Sequence, residues 1–187
     1  MKLRELNTVK YLYAAAVAAV AASIPAMAQA KDHILAGCYK PVSGFATSVC
    51  NGGESCDTQT GVYKIVLKNP QATYAQRVLV MSGTFEGRIL TAPNHCGGAD
   101  AQHILKDRDG VSTISTGPDV ACPTGGDFVN KIEIVETLQL TGGTGEYVNL
   151  IPGGTVTLSG KLGMKTGVNK FKVTPTHDDA VCFNGLH

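Results

Sequence analysis

Through residues 128–173 apolar and polar side chains alternate at period two in three successive runs, 128–140, 154–164 and 167–173. In an extended strand neighbouring side chains point to opposite faces, so each run reads as a strand with one buried and one wet face. The first run ends in the glycine-dense stretch Thr141-Gly142-Gly143-Thr144-Gly145-Glu146-Tyr147, and the second begins soon after it. Consecutive strands with short connections make antiparallel neighbours. The same rhythm occurs upstream. Tyr63, Ile65 and Leu67 alternate with Lys64, Val66 and Lys68, while Leu79, Met81, Phe85 and Ile89 share a face with Gly83 and Gly87. Ser82, Thr84, Glu86 and Arg88 form the opposite face, with Glu86 and Arg88 solvated. Glycines on the inward face of a long strand mark a bend where a sheet closes.

Residues 33–39 read as a first strand, and 102–105 with 111–114 flank a hairpin turn at Asp107-Arg108-Asp109-Gly110. Segments 40–60 and 119–127 read as cysteine-bearing loops. No long helical stripe interrupts the pattern, and many Thr, Val and Gly residues suit strands and turns. The expected fold is all-β: a small antiparallel β-barrel of about eight strands, closed so that no sheet edge is left exposed.

The first 30 residues read as a secretory signal peptide. Lys2, Arg4 and Lys10 precede an uncharged, mostly Ala/Val run over 11–24, then Pro25 and Ala26-Met27-Ala28-Gln29-Ala30. That run is shorter than the roughly 20 apolar residues of a spanning helix. Residues 31–187 then form a single domain destined for the periplasm or the exterior. It holds 13 basic and 14 acidic side chains, since three of the 16 and one of the 15 belong to the leader. With no basic run and no second long apolar run, nucleic acid and membrane are not expected partners.

All six cysteines lie after the leader, and an even count in an exported chain reads as three disulfides. Six cysteines admit 15 connectivities. Cys50–Cys56 would close a short flexible loop, Cys96–Cys122 would join two Gly/Pro-containing loops, and Cys38–Cys182 would tie the ends. No Cys-x-x-Cys is present, which leaves a thioredoxin-type redox pair or zinc knuckle without support.

The turn Thr141-Gly142-Gly143-Thr144-Gly145-Glu146-Tyr147, followed by the 154–162 strand, resembles that of the allene oxide cyclase/dirigent family of small, calycin-like β-barrels. The strand through Leu79, Gly83, Phe85 and Gly87 is similar to that family's earlier barrel strands. The resemblance implies a barrel with a central cavity holding a small apolar or amphipathic molecule, with Gly142, Gly143 and Gly145 in the turn and Tyr147 covering the barrel end. Val148-Asn149-Leu150-Ile151-Pro152-Gly153 departs from the Arg and Ala-x-Gly step of dirigent proteins, and the family's catalytic residues have no counterparts that can be placed residue by residue.

Glu136 is the candidate catalytic residue. It falls in phase with Ile132, Ile134, Leu138 and Leu140, and a carboxyl inside an apolar barrel has a raised pKa suited to general acid–base work. A bulge at Val135 would turn Glu136 outward; an unbroken strand keeps it inside. His33, His95, His103, His177 and His187 read as loop-surface residues, because no metal-ligand spacing joins them to one another or to a carboxylate. The glycine turn lacks the spacing and following helix of a phosphate cradle, and Asp107-Arg108-Asp109-Gly110 lacks the later ligands of a calcium loop. No cofactor is indicated. Three functions fit: a ligand-binding barrel, a cyclase or isomerase, and an interaction protein with a filled core that meets a protein partner through 40–60 and 91–127.

Overall fold

The computed structural model describes residues 35–51, 57–89, 99–108, 110–127 and 129–185. The leader and the residues Cys56, Cys96, His33, His95 and His187 lie outside these. Among the described residues ten strands follow in order: β1 Gly37–Asn51, β2 Thr58–Lys68, β3 Val78–Ile89, β4 Ala99–Asp107, β5 Thr113–Thr116, β6 Asp119–Gly126, β7 Lys131–Gly143, β8 Gly154–Gly163, β9 Val168–Val173 and β10 Val181–Phe183. They form a closed, eight-stranded antiparallel barrel. Neighbours run β1-β2-β3-β4-β5-β7-β8-β9, and β9 pairs back onto β1 to close the ring. The short strands β5 and β6 share one position between β4 and β7: β5 pairs with β4 at Ile104–Lys106, and β6 pairs with it at Ala99–Ala101. β10 adds to the start of β1.

Two segments expected as loops are strands. Most of 40–60 belongs to β1 and β2, which pair from Lys40↔Lys68 to Asn51↔Thr58. The segment 119–127 is largely β6, which pairs with β7 despite Pro123 and a register shift between Pro123 and Gly125. Glycine and proline content pointed to loops, but ladder bonds and a buried inner face hold these residues extended.

Within the largely aliphatic core, two aromatic side chains lie over glycines. Gly61 faces Phe85 across β2–β3, and Gly160 faces Phe171 across β8–β9. A Cβ on Gly61 would come within 2.6 Å of the Phe85 ring, and one on Gly160 within 2.5 Å of the Phe171 ring. Gly142 and Gly143 end β7 rather than forming the turn, pairing with Ser115 and Ile114. The chain then reverses through a 3₁₀ turn, Gly145–Tyr147, with Gly145 in the left-handed region at φ +59°. Tyr147 is buried in the core, folded back over Gly143.

Cys38 and Cys182 form a disulfide, opposite one another in the β1–β10 ladder. Cys50 and Cys122 are also disulfide-bonded, with partners outside the described residues. The Cys38–Cys182 bridge spans 144 residues of sequence, so it restricts the unfolded chain strongly. Replacing both cysteines with serine is expected to lower unfolding free energy by about 2–5 kcal/mol in non-reducing denaturant titrations. An unchanged midpoint would show that the bridge adds no stability.

Candidate acid–base site

The seat of the site is the break between β5 and β6. Residues 117–118 step between the two strands, so the middle of β4 and the stretch of β7 near Gln139 lack a continuous ladder partner. Side chains supply the missing hydrogen bonds. The backbone N–H of His103 donates to Thr116 Oγ1 at 2.7 Å, and the backbone N–H of Gln139 donates to Asp119 Oδ1 at 2.8 Å. Gly117 N–H donates to the Gln139 carbonyl at 2.8 Å. An unmet backbone group inside the barrel would cost free energy comparable to a lost hydrogen bond, so the break draws a hydroxyl and a carboxylate into the interior.

Asp119, completely buried, also accepts at Oδ2 from His103 Nδ1 at 2.8 Å and from Thr116 Oγ1 at 2.9 Å. On the adjoining wall β7 pairs with β8 without a register shift from Lys131↔Gly163 to Leu140↔Gly154. There is no bulge at Val135, so Glu136 stays in phase with Ile132, Ile134 and Leu138 and points inward, with 7% of its surface exposed. Its Oε1 lies 3.7 Å from His103 Nδ1, and it makes no hydrogen bond among the described residues.

The other edge of His103 is positioned by a glycine. Gln59 on β2, Gly87 on β3 and His103 on β4 lie directly opposite one another. Because Gly87 has no side chain, the two flanking residues meet above it, Gln59 Nε2 lying 2.9 Å from His103 Nε2. A Cβ at Gly87 would sit 2.6 Å from the imidazole and 2.8 Å from Gln59 Cγ. Phe85 packs edge-on to the imidazole at 5.6 Å.

Electrostatics follow from burial. Loss of water raises the pKa of Glu136, the His103 charge opposes that shift, and Asp119 adds to it. For His103, burial disfavours the imidazolium. The Asp119 hydrogen bond and the charges of Glu136 and Asp119 favour it, and between them they outweigh burial and lift the ring above its ordinary value. A cavity of about 30 Å³ adjoins Glu136. Its walls include Tyr63, Ile65, Leu105, Leu138, Leu158 and Phe171, with Gln59, His103 and Glu136 as polar members. That volume accommodates a water molecule or one functional group.

No family model, curated protein or solved structure matches the chain.

Ligand atoms of His103, Asp119 and Glu136 all lie within 4.8 Å of one another, the span of a metal site. The hydrogen bonds fit proton transfer better. Asp119 already accepts from three donors, and a metal on His103 Nδ1 would place an N–H at Nε2, facing the donating amide of Gln59. Among the residues expected on the surface, His177 is exposed beside Asp178 and Glu86 pairs with Lys106 at the surface. His103 is the correction. It is a buried strand residue because positions 101, 103 and 105 share the inward face of β4 with Ala101 and Leu105. Gln102-His103-Ile104-Leu105 shows that His103 shares a face with Leu105 but not which face is inward, since Ile104 lies on the other and is exposed. Asp119 gave no comparable signal, since its inward direction depends on the strand break.

Two outcomes follow. Gly87→Ala is expected to push His103 and Gln59 apart and cost about 1–3 kcal/mol in denaturant unfolding, as overpacking does; a neutral variant would contradict the close approach. Glu136, with its folded pKa raised above the ordinary 4.5, binds its proton more tightly folded than unfolded. Its contribution is fully present below pH 4.5 and is lost as pH rises from there through the folded pKa. Glu136→Gln should therefore gain stability relative to the parent across that window, and parallel stability–pH curves for the two proteins would sink the assignment.

Proposed function

We propose that this protein is exported and that its barrel interior carries out proton transfer on a small, mostly apolar molecule, as a cyclase or isomerase of the allene oxide cyclase/dirigent-like kind would. The observation that carries this reading is the inward Glu136 carboxyl, free of hydrogen bonds among the described residues, beside the His103–Asp119 pair and an apolar cavity. Replacing such a buried cluster with apolar residues is often neutral or stabilising, and perturbed titratable groups gathered in a cleft favour a functional role. In an isomerisation the Glu136 O–H bond breaks as a new bond to hydrogen forms on the substrate. The carboxylate then takes a proton from another atom of the same molecule, leaving atoms and electrons balanced.

The cavity's volume sets the manner of binding. Pockets for drug-sized ligands run to about 300–1,000 Å³, so here one reacting group fits beside Glu136 and the rest must displace side chains. Disulfides at Cys38, Cys182, Cys50 and Cys122 support export, because oxidising compartments let them persist. The small cavity also favours a second reading, in which the barrel is a packed scaffold acting on a protein partner through its surface.

The test incubates the full folded chain with a panel of apolar carbonyl, enol and epoxide compounds in deuterated water. Mass spectrometry follows deuterium at carbon, and native mass spectrometry follows retained compound. Proton transfer predicts exchange that Glu136→Gln lowers by about 10²–10⁴-fold. Exchange unchanged in that variant would remove Glu136 from the chemistry, whereas neither exchange nor retention across the panel would favour the scaffold reading.

A further inference from the structure

Gln59 belongs to a line of hydrogen bonds whose directions are fixed from one end. The backbone N–H of Gly163 can only donate, and it donates to Asn169 Oδ1 at 3.3 Å. The Asn169 amide is thereby oriented with Nδ2 toward Gln59, donating to Gln59 Oε1 at 3.1 Å. Ser48 Oγ donates to the same oxygen at 2.6 Å. With its carbonyl occupied by two donors, Gln59 turns its NH₂ toward His103 Nε2. An amide nitrogen cannot accept, so the imidazole nitrogen facing it must. The remaining ring proton then sits on Nδ1 and is donated to Asp119.

We propose that Gln59 is a positioning residue that holds His103 as the neutral tautomer protonated on Nδ1, leaving Glu136 as the proton-carrying acid of the cluster. The final clause rests on the acid–base reading of the barrel interior; the tautomer stands on hydrogen-bond direction alone. Two titratable groups face the ring, Asp119 from β6 and Glu136 from β7, while β2 presents Gln59 and β3 presents Phe85. Either carboxyl, when ionised, favours an imidazolium. Forming it would set an Nε2–H against an amide N–H 2.9 Å away. Turning Gln59 to accept would set its NH₂ against that of Asn169, and turning Asn169 as well would set its NH₂ against the Gly163 N–H. The line ends at a backbone donor that cannot reverse, so the order is maintained along its whole length. All four side chains are buried, which excludes water as an easy substitute partner.

Nitrogen-15 NMR of the full chain labelled in its histidine rings tests this directly, with the His103 signals assigned by their loss in His103→Asn. At neutral pH the expected spectrum shows a protonated Nδ1 and a bare Nε2. Gln59→Glu puts an acceptor at Nε2 and should convert the ring to the imidazolium, raising its titration midpoint by about one unit or more. Gln59→Met removes the donor at similar length and should raise the midpoint less. Infrared difference spectra between the parent and Glu136→Gln should show a protonated carboxyl band at neutral pH, weakened in Gln59→Glu. A parent ring already doubly protonated, or protonated on Nε2, overturns the proposal, as does a Gln59→Glu midpoint equal to the parent's. The parent spectrum decides the tautomer even if a variant fails to fold. A correct tautomer with no deuterium exchange on any compound would leave the lock in place and remove the enzyme reading.

Discussion

Closure of the barrel by β1 is the constraint on which the other features depend. This strand pairs with β2 along one edge, with β9 along the other, and with β10 at its start. An open sheet would leave β1 or β9 as an exposed row of donors and acceptors. Once the ring closes, its inner face has a fixed circumference, and large and small side chains must share it. Glycines opposite Phe85, Phe171 and the Gln59–His103 pair are the local solution. The described interior is consequently closely packed around a small cavity beside Glu136.

One wall of this ring is interrupted. Splitting one strand position into β5 and β6 removes ladder bonds from the middle of β4 and β7, and Thr116 and Asp119 restore them. A backbone irregularity is thus converted into buried acceptors, and the acceptor Asp119 brings His103 with it. The same geometry serves stability and would serve the proposed chemistry, so substitutions at Asp119 would confound the two. Gln59, reaching His103 from across Gly87, separates them better because it touches neither the break nor Glu136's strand.

Much of the strand content was legible. Alternation in 63–68, 79–89, 128–140 and 154–173 corresponds to β2, β3, β7, β8 and β9, and the expected barrel of about eight strands is the one found. The Cys38–Cys182 pair was anticipated from the two ends of the domain. Strand β6 was hidden by Pro123 and paired glycines, and much of β1 by its Gly, Ser and Asn residues; ladder pairing overrides such local preferences. Three-residue β10 is too short for any rhythm to show. For Glu136 the sequence left two directions open, and the unbroken β7–β8 register decides between them.

Side-chain parity is local, so the chain by itself determines which residues of a strand share a face: Glu136 with Ile134 and Leu138, His103 with Ala101 and Leu105. Short connections make consecutive strands neighbours, but no local pattern encodes the β1–β9 pairing that closes the ring. Ser48 and Asn169 lie 121 residues apart, Gln59 and His103 44 apart, yet each pair is in hydrogen-bond contact. The line from Gly163 to Asp119 therefore exists only in the folded barrel. The sequence placed a carboxyl on an apolar face; the tertiary structure surrounded it with an imidazole, a second carboxylate and a directed amide, because hydrogen bonds act over a few ångströms and only a closed sheet brings these strands that near.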